Sequence, residues 1–284
     1  MSLPELEALF VYDDPAGSEE RLASLALDTA VQADPAYHCE LLTRLARSQG
    51  LQRRFEDAHA MLDRALGLGC EAPACRVRIP MERGRVFNSS GDKASARPCF
   101  LEAFEIAEAA GLDDLAVDAA HMMGIIEPTD ASLAWNERAI SIAEASSNPK
   151  AKKWFGSLYN NTAWTYHGAA NYPRALELFE KAKEYRVTQG DPKGIHIAEW
   201  CIARCLRSLG RLEEALEMQT RLHPNDQAGY VAEELGELNL ELGRQEQSRP
   251  WFEEAYTKLS QDAWLQANEA ERLERMRLLA VAQS

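Results

Sequence analysis

The sequence predicts an all-α protein built from repeated helix pairs, and three observations carry that expectation. Apolar residues recur at helical spacing along almost the whole chain, broken at intervals by Gly, Asn, Asp or Pro. A phrase returns: Ala96-Arg-Pro-Cys-Phe100-Leu-Glu-Ala103 is echoed by Ser248-Arg-Pro-Trp-Phe252-Glu-Glu-Ala255, 152 residues later, or four steps of 38. Small residues opening the second helix of each pair fall at 58, 96, 132, 175, 215 and 248, with steps of 38, 36, 43, 40 and 33.

In chain order, 3–10 reads as a short helix and 18–33 as a second, together an N-terminal cap over 1–35. Asp34-Pro35 restarts the chain, because proline in a first turn loses no helical hydrogen bond. The first pair is 36–49 and 54–67, divided by Gly50; Ala58, Leu62 and Ala65 face inward. The second runs over 74–110 with its break at Gly91-Asp92, and Pro98 is expected to distort its second helix, as Pro250 is in the sixth pair. The third, 112–126 and 130–146, has a shortened loop, and Ser132 and Asn136 stand where a small residue and an aromatic are expected. The fourth is 152–168 and 172–188, with Asn171 as N-cap. The fifth is 193–209 and 212–222, and the sixth 227–242 and 245–258. A last helix over 262–282 caps a single array spanning 1–284, with repeats over 36–258.

Residues 158–182, LYNNTAWTYHGAANYPRALELFEKA, carry the clearest pattern. Tyr159, Thr162, Ala163 and Tyr166 share one helix face; Ala175, Leu176, Phe179 and Ala182 share the next. The stretch resembles the tetratricopeptide repeat, W-x2-L-G-x2-Y followed by A-x3-F: Tyr166, Ala175 and Phe179 match, while Tyr159, Thr162 and Ala163 replace Trp, Leu and Gly. Steps longer than the usual repeat of about 34 residues look like the longer-repeat members, among them bacterial peptide-sensing regulators and Leu-Gly-Asn scaffolds. The resemblance implies a right-handed superhelical solenoid of about six pairs plus terminal capping helices, acting as a protein- or peptide-binding adaptor.

In that family the first helices line a concave groove. Carried over place by place, the groove collects Arg44, Arg47, Arg78, Met81 and Arg85 from the first two pairs, and His121 and Met122 from the third. Asn160, Asn161, Trp164 and His167 follow from the fourth, then Trp200, Arg204 and Arg207 from the fifth. Tyr230, Glu233, Glu234, Glu237 and Glu241 end the series. Arginine reads carboxylates bidentately, paired asparagines can hold a peptide main chain, and the tryptophans can grip an apolar side chain. The expected partner is therefore an extended, acidic protein segment. The competing reading pairs these arginines with glutamates of the same array. Asn161 matches the family's clamp asparagine, but Ile197 and Cys201 stand where the clamp needs Lys and Arg, which argues against binding of chaperone tails.

The net charge of −14 opposes nucleic-acid binding and attraction to anionic membranes. The start, MSLPELEALF, is acidic and lacks a signal peptide's basic and apolar regions, and no apolar run is long enough to span a membrane, so a cytoplasmic location is expected. No G-x-S-x-G, P-loop or H-E-x-x-H occurs, and Gly67-Leu-Gly69 lacks a third glycine, so neither an enzyme nor a cofactor is expected. Asp13-Asp14 and Asp113-Asp114 read as solvated turns, and Lys150 to Lys153 as a helix start. The cysteines read as buried apolar residues; Cys70 and Cys75 flank a loop, CEAPAC, with no second pair nearby to make a zinc site, and whether they bridge stays open. Two alternatives stand beside the adaptor. One is a peptide sensor that acts through another protein; the other is a self-assembling homo-oligomer joined through its final helix.

Overall fold

The computed structural model describes residues 3–281, and the ordered elements among them are helices. The chain divides between Trp154 and Phe155 into two compact units.

The first unit opens with α1 (Leu6–Leu9), α2 (Pro15–Leu25) and α3 (Thr29–Gln32). Three pairs follow: α4 (Pro35–Leu51) with α5 (Phe55–Gly67), α6 (Pro73–Ser89) with α7 (Lys93–Ala109), and α8 (Asp113–Ile126) with α9 (Thr129–Ala145). The short α10 (Pro149–Lys152) closes it. The second unit holds α11 (Phe155–Gly168) with α12 (Tyr172–Gln189), α13 (Pro192–Ser208) with α14 (Leu212–Leu222), and α15 (Tyr230–Glu241) with α16 (Gln245–Leu259). It ends in α17 (Ala263–Asn268) and α18 (Ala270–Val281).

Aspartate and asparagine fix the starts. Asp34, Asp92, Asn171, Asp191 and Asp262 each accept a backbone N–H of the first turn of the helix they precede. Asp28 does the same for α3, which is why the expected helix over 18–33 is two pieces. The last helix is also two pieces, parted at Glu269, and its expected end at 282 lies outside the described residues. Gly50 does not divide the first pair. It lies inside α4 facing Val86, and the turn comes at Arg53, whose φ is 62°. The same left-handed place is filled by Gly91, Ala170, Gly210 and Gly243. The third pair lacks it, because extended Glu127 and Pro128 make the shorter connection. Helices α7 and α16 run unbroken through Pro98 and Pro250, contrary to the expected distortion. Both prolines are exposed, so the single carbonyl each leaves unbonded faces water.

One spacing repeats. A small residue on the first helix and a buried side chain 16 positions later on the second come together as Gly84 with Phe100 and Gly236 with Phe252, and share a core cluster as Ala46 with Leu62 and Ala163 with Phe179; Ala203 and Gln219, both buried, keep the same interval. In the third pair the interval is 12, Gly124 to Asn136, because the loop is shorter. The approach is close. A methyl on Gly84 would lie 2.6 Å from the Phe100 ring, and one on Gly236 would lie 2.9 Å from that of Phe252. Phe100, Phe179 and Phe252 are all fully buried. Each thus fills the gap that its glycine or alanine opens, and locks one helix pair.

Two pairs put a polar amide in this place. Asn136 bonds Ser132 through its nitrogen at 3.4 Å, and Ser132 in turn donates to the Gly124 carbonyl at 2.6 Å. Gln219 is 0% exposed, and neither its oxygen nor its nitrogen has a hydrogen-bond partner. Burying an unsatisfied amide is costly, so Gln219→Leu is expected to stabilise the chain by about 1–2 kcal/mol. A urea titration checks it: the midpoint should rise with an unchanged slope.

Candidate functional site

The first helices carry two kinds of surface. In the first unit it is an ion-pair lattice. Glu40 accepts from Arg44 at 2.8 Å and faces Arg78 at 3.4 Å. Arg47 reaches Glu82 at 3.7 Å and lies over the Tyr12 ring. Arg85 bonds both Glu82 and Asp118, and its side chain is only 12% exposed. His121 is buried beside Trp154, with ring centres 5.3 Å apart, and burial holds it below the ordinary histidine range, hence neutral at pH 7.

In the second unit, charge and aromatic surface lie side by side. Arg207 grips Glu234 bidentately at 2.8 and 3.1 Å and also holds Glu241 at 2.5 Å. Arg204 reaches the same Glu234 at 3.1 Å. Burial outweighs both guanidinium groups and leaves Glu234 above the usual carboxylate range. Arg272 and Arg275 of α18 take up Glu233 and Glu237. All six arginines carried over from the repeat pattern therefore hold carboxylates of the chain, as do the four glutamates their arginines.

The aromatic row steps from helix to helix. Trp164 of α11 lies 6.0 Å from Trp200 of α13, and Trp200 lies 6.2 Å from Tyr230 of α15, between ring centres. Trp164 also packs edge-on against Phe179, which ties the row to the core. Trp200 donates its indole N–H to the Tyr230 carbonyl at 3.3 Å. His167 joins Ser208 at 2.9 Å and is held neutral by burial and by Arg204 and Arg207. The Asn160 oxygen accepts from the Cys201 thiol at 3.4 Å, and its nitrogen donates to Asn161 at 3.4 Å. Burial pushes the Cys201 and Cys205 thiols up to about 12 and about 11, so both behave as apolar core residues.

Beside Trp200 opens a cavity of about 730 Å³, lined by Ile197, Trp200, Tyr230 and Val231, with Lys193 and His196 at its α13 side. Ile197 is 48% exposed, an apolar side chain standing in the opening. The far wall is the segment between α14 and α15, and it is held firmly. Asp226 accepts from Gly229 N at 3.0 Å and Ala232 N at 3.2 Å, and Lys258 donates to its carbonyl at 2.6 Å. Gly229 has φ 98°, and a methyl added to it would lie 2.8 Å from the Lys258 Cβ, so only glycine fits there. Burial opposes ionisation of Glu254, yet Lys258 and His223 keep it below the ordinary carboxylate range and anchor the base of the segment.

No protein-family model matches the sequence, and no curated protein matches it. Solved structures do. The apo form of RapI aligns with a TM-score of 0.73 at 11% identity, over 98% of this chain and 81% of that one. A signal-transduction ATPase of the STAND class with a tetratricopeptide-repeat sensor, from Pyrococcus horikoshii, aligns with 0.71 at 15% identity. That match covers 95% of this chain but only 43% of the larger protein. The apo quorum sensor NprR of B. thuringiensis aligns with 0.61 at 14% identity, over 96% and 85%.

The chain has the tetratricopeptide-repeat fold.

Within the tetratricopeptide-repeat fold of the second unit, Asn160, Asn161, Trp164, His167, Trp200, Arg204 and Arg207 come together across α11 and α13. In the first unit Arg44, Arg47, Arg78, Arg85 and His121 are spread over α4, α6 and α8. Sequence reading missed Lys193, His196 and Val231 as parts of a cavity, and used Ile197 only to note a missing clamp lysine. The signal was present: residues 193, 196, 197, 200 and 204 share a face of α13, and an isoleucine among polar neighbours there has no helix to bury it. Asp191 sets that face by capping α13 through Gly194 N at 2.9 Å while pairing with Arg186 at 2.6 Å. The Gly194 bond and Arg186 hold its carboxyl below the ordinary range. The folded chain thus binds this proton less readily than the unfolded one, and the contribution is present above the ordinary aspartate range and lost as pH falls through the lower folded value. Asp191→Ala is expected to cost about 1 kcal/mol at pH 7, read from urea melts, with the difference from wild type vanishing toward pH 2.

Proposed function

We propose that the protein is a binding module that holds an extended segment of another protein across α11, α13 and α15. A bulky apolar residue of that segment sits in the cavity beside Trp200, and an acidic residue lies next to it. The single observation that carries the reading is the open cavity of about 730 Å³ with Ile197 exposed at its mouth and aromatic rings behind it. Such pockets take an anchoring side chain, while the surrounding polar groups set orientation. Lys193 lies on the same face of α13 and favours an acidic neighbour beside the anchor, while Arg204 on that face already holds Glu234. Asn160 and Asn161 can each donate to and accept from the segment's main chain.

The arginines of the first unit serve this reading less directly, since an acidic segment there must compete with carboxylates already in place. The similarity to a quorum sensor and to a tetratricopeptide-repeat sensor accords with recognition of a short signal, but rests on fold alone. Selection of random peptides displayed on phage tests the proposal. The expected consensus is a bulky apolar residue with Asp or Glu nearby, and enrichment should disappear on Ile197→Asp, an exposed substitution that leaves the core untouched. A basic consensus, or one unchanged by Ile197→Asp, overturns it.

A further inference from the structure

Three thiols converge where α5 passes into α6. Cys70 follows Gly69, which turns the chain at φ 61°, and Cys75 is the third residue of α6. Their sulfurs are 3.0 Å apart and unbonded. That is about 1 Å beyond the length of a disulfide bond, a gap that small side-chain rotations close. Cys39 of α4 is fully buried in the same apolar cluster as Cys75, whose sulfur also reaches the Ala36 carbonyl at 3.7 Å.

The three are not equally accessible. Cys39 and Cys75 are buried, at 0% and 3% exposure, whereas Cys70 is half-buried. Cys70 also lines a cavity of about 340 Å³, together with Arg76 and Arg83. The opening gives a small oxidant a path to one sulfur of the pair. Burial and the neighbouring thiols push Cys75 far above the ordinary thiol range, so it does not meet the oxidant first.

We propose that Cys70 and Cys75 form an oxidant-accessible thiol pair that a peroxide closes to a disulfide. The Cys70 thiolate attacks one oxygen of hydrogen peroxide; an S–O bond forms as the O–O bond breaks, and the departing hydroxide is protonated to water. The sulfur loses two electrons, and the peroxide gains them. Cys75 then attacks the Cys70 sulfur. The S–S bond forms, the S–O bond breaks, and the leaving hydroxide takes the Cys75 proton as a second water. The bridge ties the end of α5 to the first turn of α6, the step from one helix pair to the next.

Trypsin isolates the pair. The segment from Ala65 to Arg76 carries both cysteines and no other. The full-length chain is treated with hydrogen peroxide, unfolded, alkylated, digested and weighed. The expected result is a 65–76 peptide lighter by two hydrogens, without alkyl groups, and restored by dithiothreitol. Cys70→Ser should leave Cys75 alkylated, and Cys39→Ala should leave the bridge intact. A wild-type peptide carrying two alkyl groups, one with sulfinic acid at Cys70, or one cross-linked to the peptides of Cys39 or Cys99 overturns the proposal. The wild-type result decides it even if a variant fails to fold.

Discussion

Arg85→Ala is expected to lower the stability of the chain by about 3–5 kcal/mol, read from urea unfolding. Arg85 is almost enclosed, and it joins Glu82 to Asp118 across α6 and α8. Removing it leaves the Asp118 carboxylate, itself 9% exposed, without that guanidinium in a poorly solvated place. Glu82 is less affected, because Arg47 also faces it at 3.7 Å. The cost is that of an uncompensated charge, not the worth of the ion pair itself. It follows that Arg85→Met combined with Asp118→Leu should recover most of the loss, because the buried charge has gone with its partner. A double variant as unstable as Arg85→Ala would show that shape, not charge, governs this crossing.

Phe179→Ala is the second large effect, also about 3–5 kcal/mol. Phe179 is fully buried between α11 and α12, where it meets Ala163 and the edge of Trp164. The hole left by the ring cannot close without moving Trp164, so the aromatic row should be disturbed as well. Urea unfolding monitored by tryptophan fluorescence reads both: a lower midpoint, and an altered native emission. Gln219→Leu, at the equivalent place of the next pair, should shift the midpoint the other way. Opposite signs at equivalent places are the signature of one repeated packing rule.

That rule explains what the sequence made legible. Phe100, Phe179 and Phe252 stand out because an aromatic follows an alanine or serine by four residues at every clear repeat. The pairing of helices could therefore be read without any fold in hand. Asn136 hides this place behind a polar side chain, so the third pair carries the repeat pattern least clearly, and Gln219 does the same in the fifth. Turn positions were read less well. Gly50 suggested a break, but the chain turns at Arg53, and nothing about an arginine advertises a left-handed backbone. Pro98 and Pro250 suggested distortion, but an exposed proline in the sixth position of a helix frees only one carbonyl, which water satisfies.

The candidate site was legible in part, for a physical reason. A face of a helix can be read from spacing, which gave Trp164, Trp200 and the arginines. Whether a charge on that face is free depends on the neighbouring first helix, 27 residues away for Arg207 and Glu234 and 33 for Arg85 and Asp118. No local pattern reports those partners. The cavity depends further on the segment between α14 and α15, whose path is set by Asp226, Gly229 and Lys258 acting together.

The central claim is that the cavity beside Trp200 anchors an apolar residue of an extended partner segment. Fluorescence anisotropy of a labelled peptide bearing the selected acidic-apolar consensus, titrated with wild type and with Ile197→Asp, tests it most directly. The account predicts that Ile197→Asp weakens binding at least about tenfold, some 1.4 kcal/mol, with unchanged circular dichroism. Equal affinity for the two proteins would contradict it and move the binding surface away from α13.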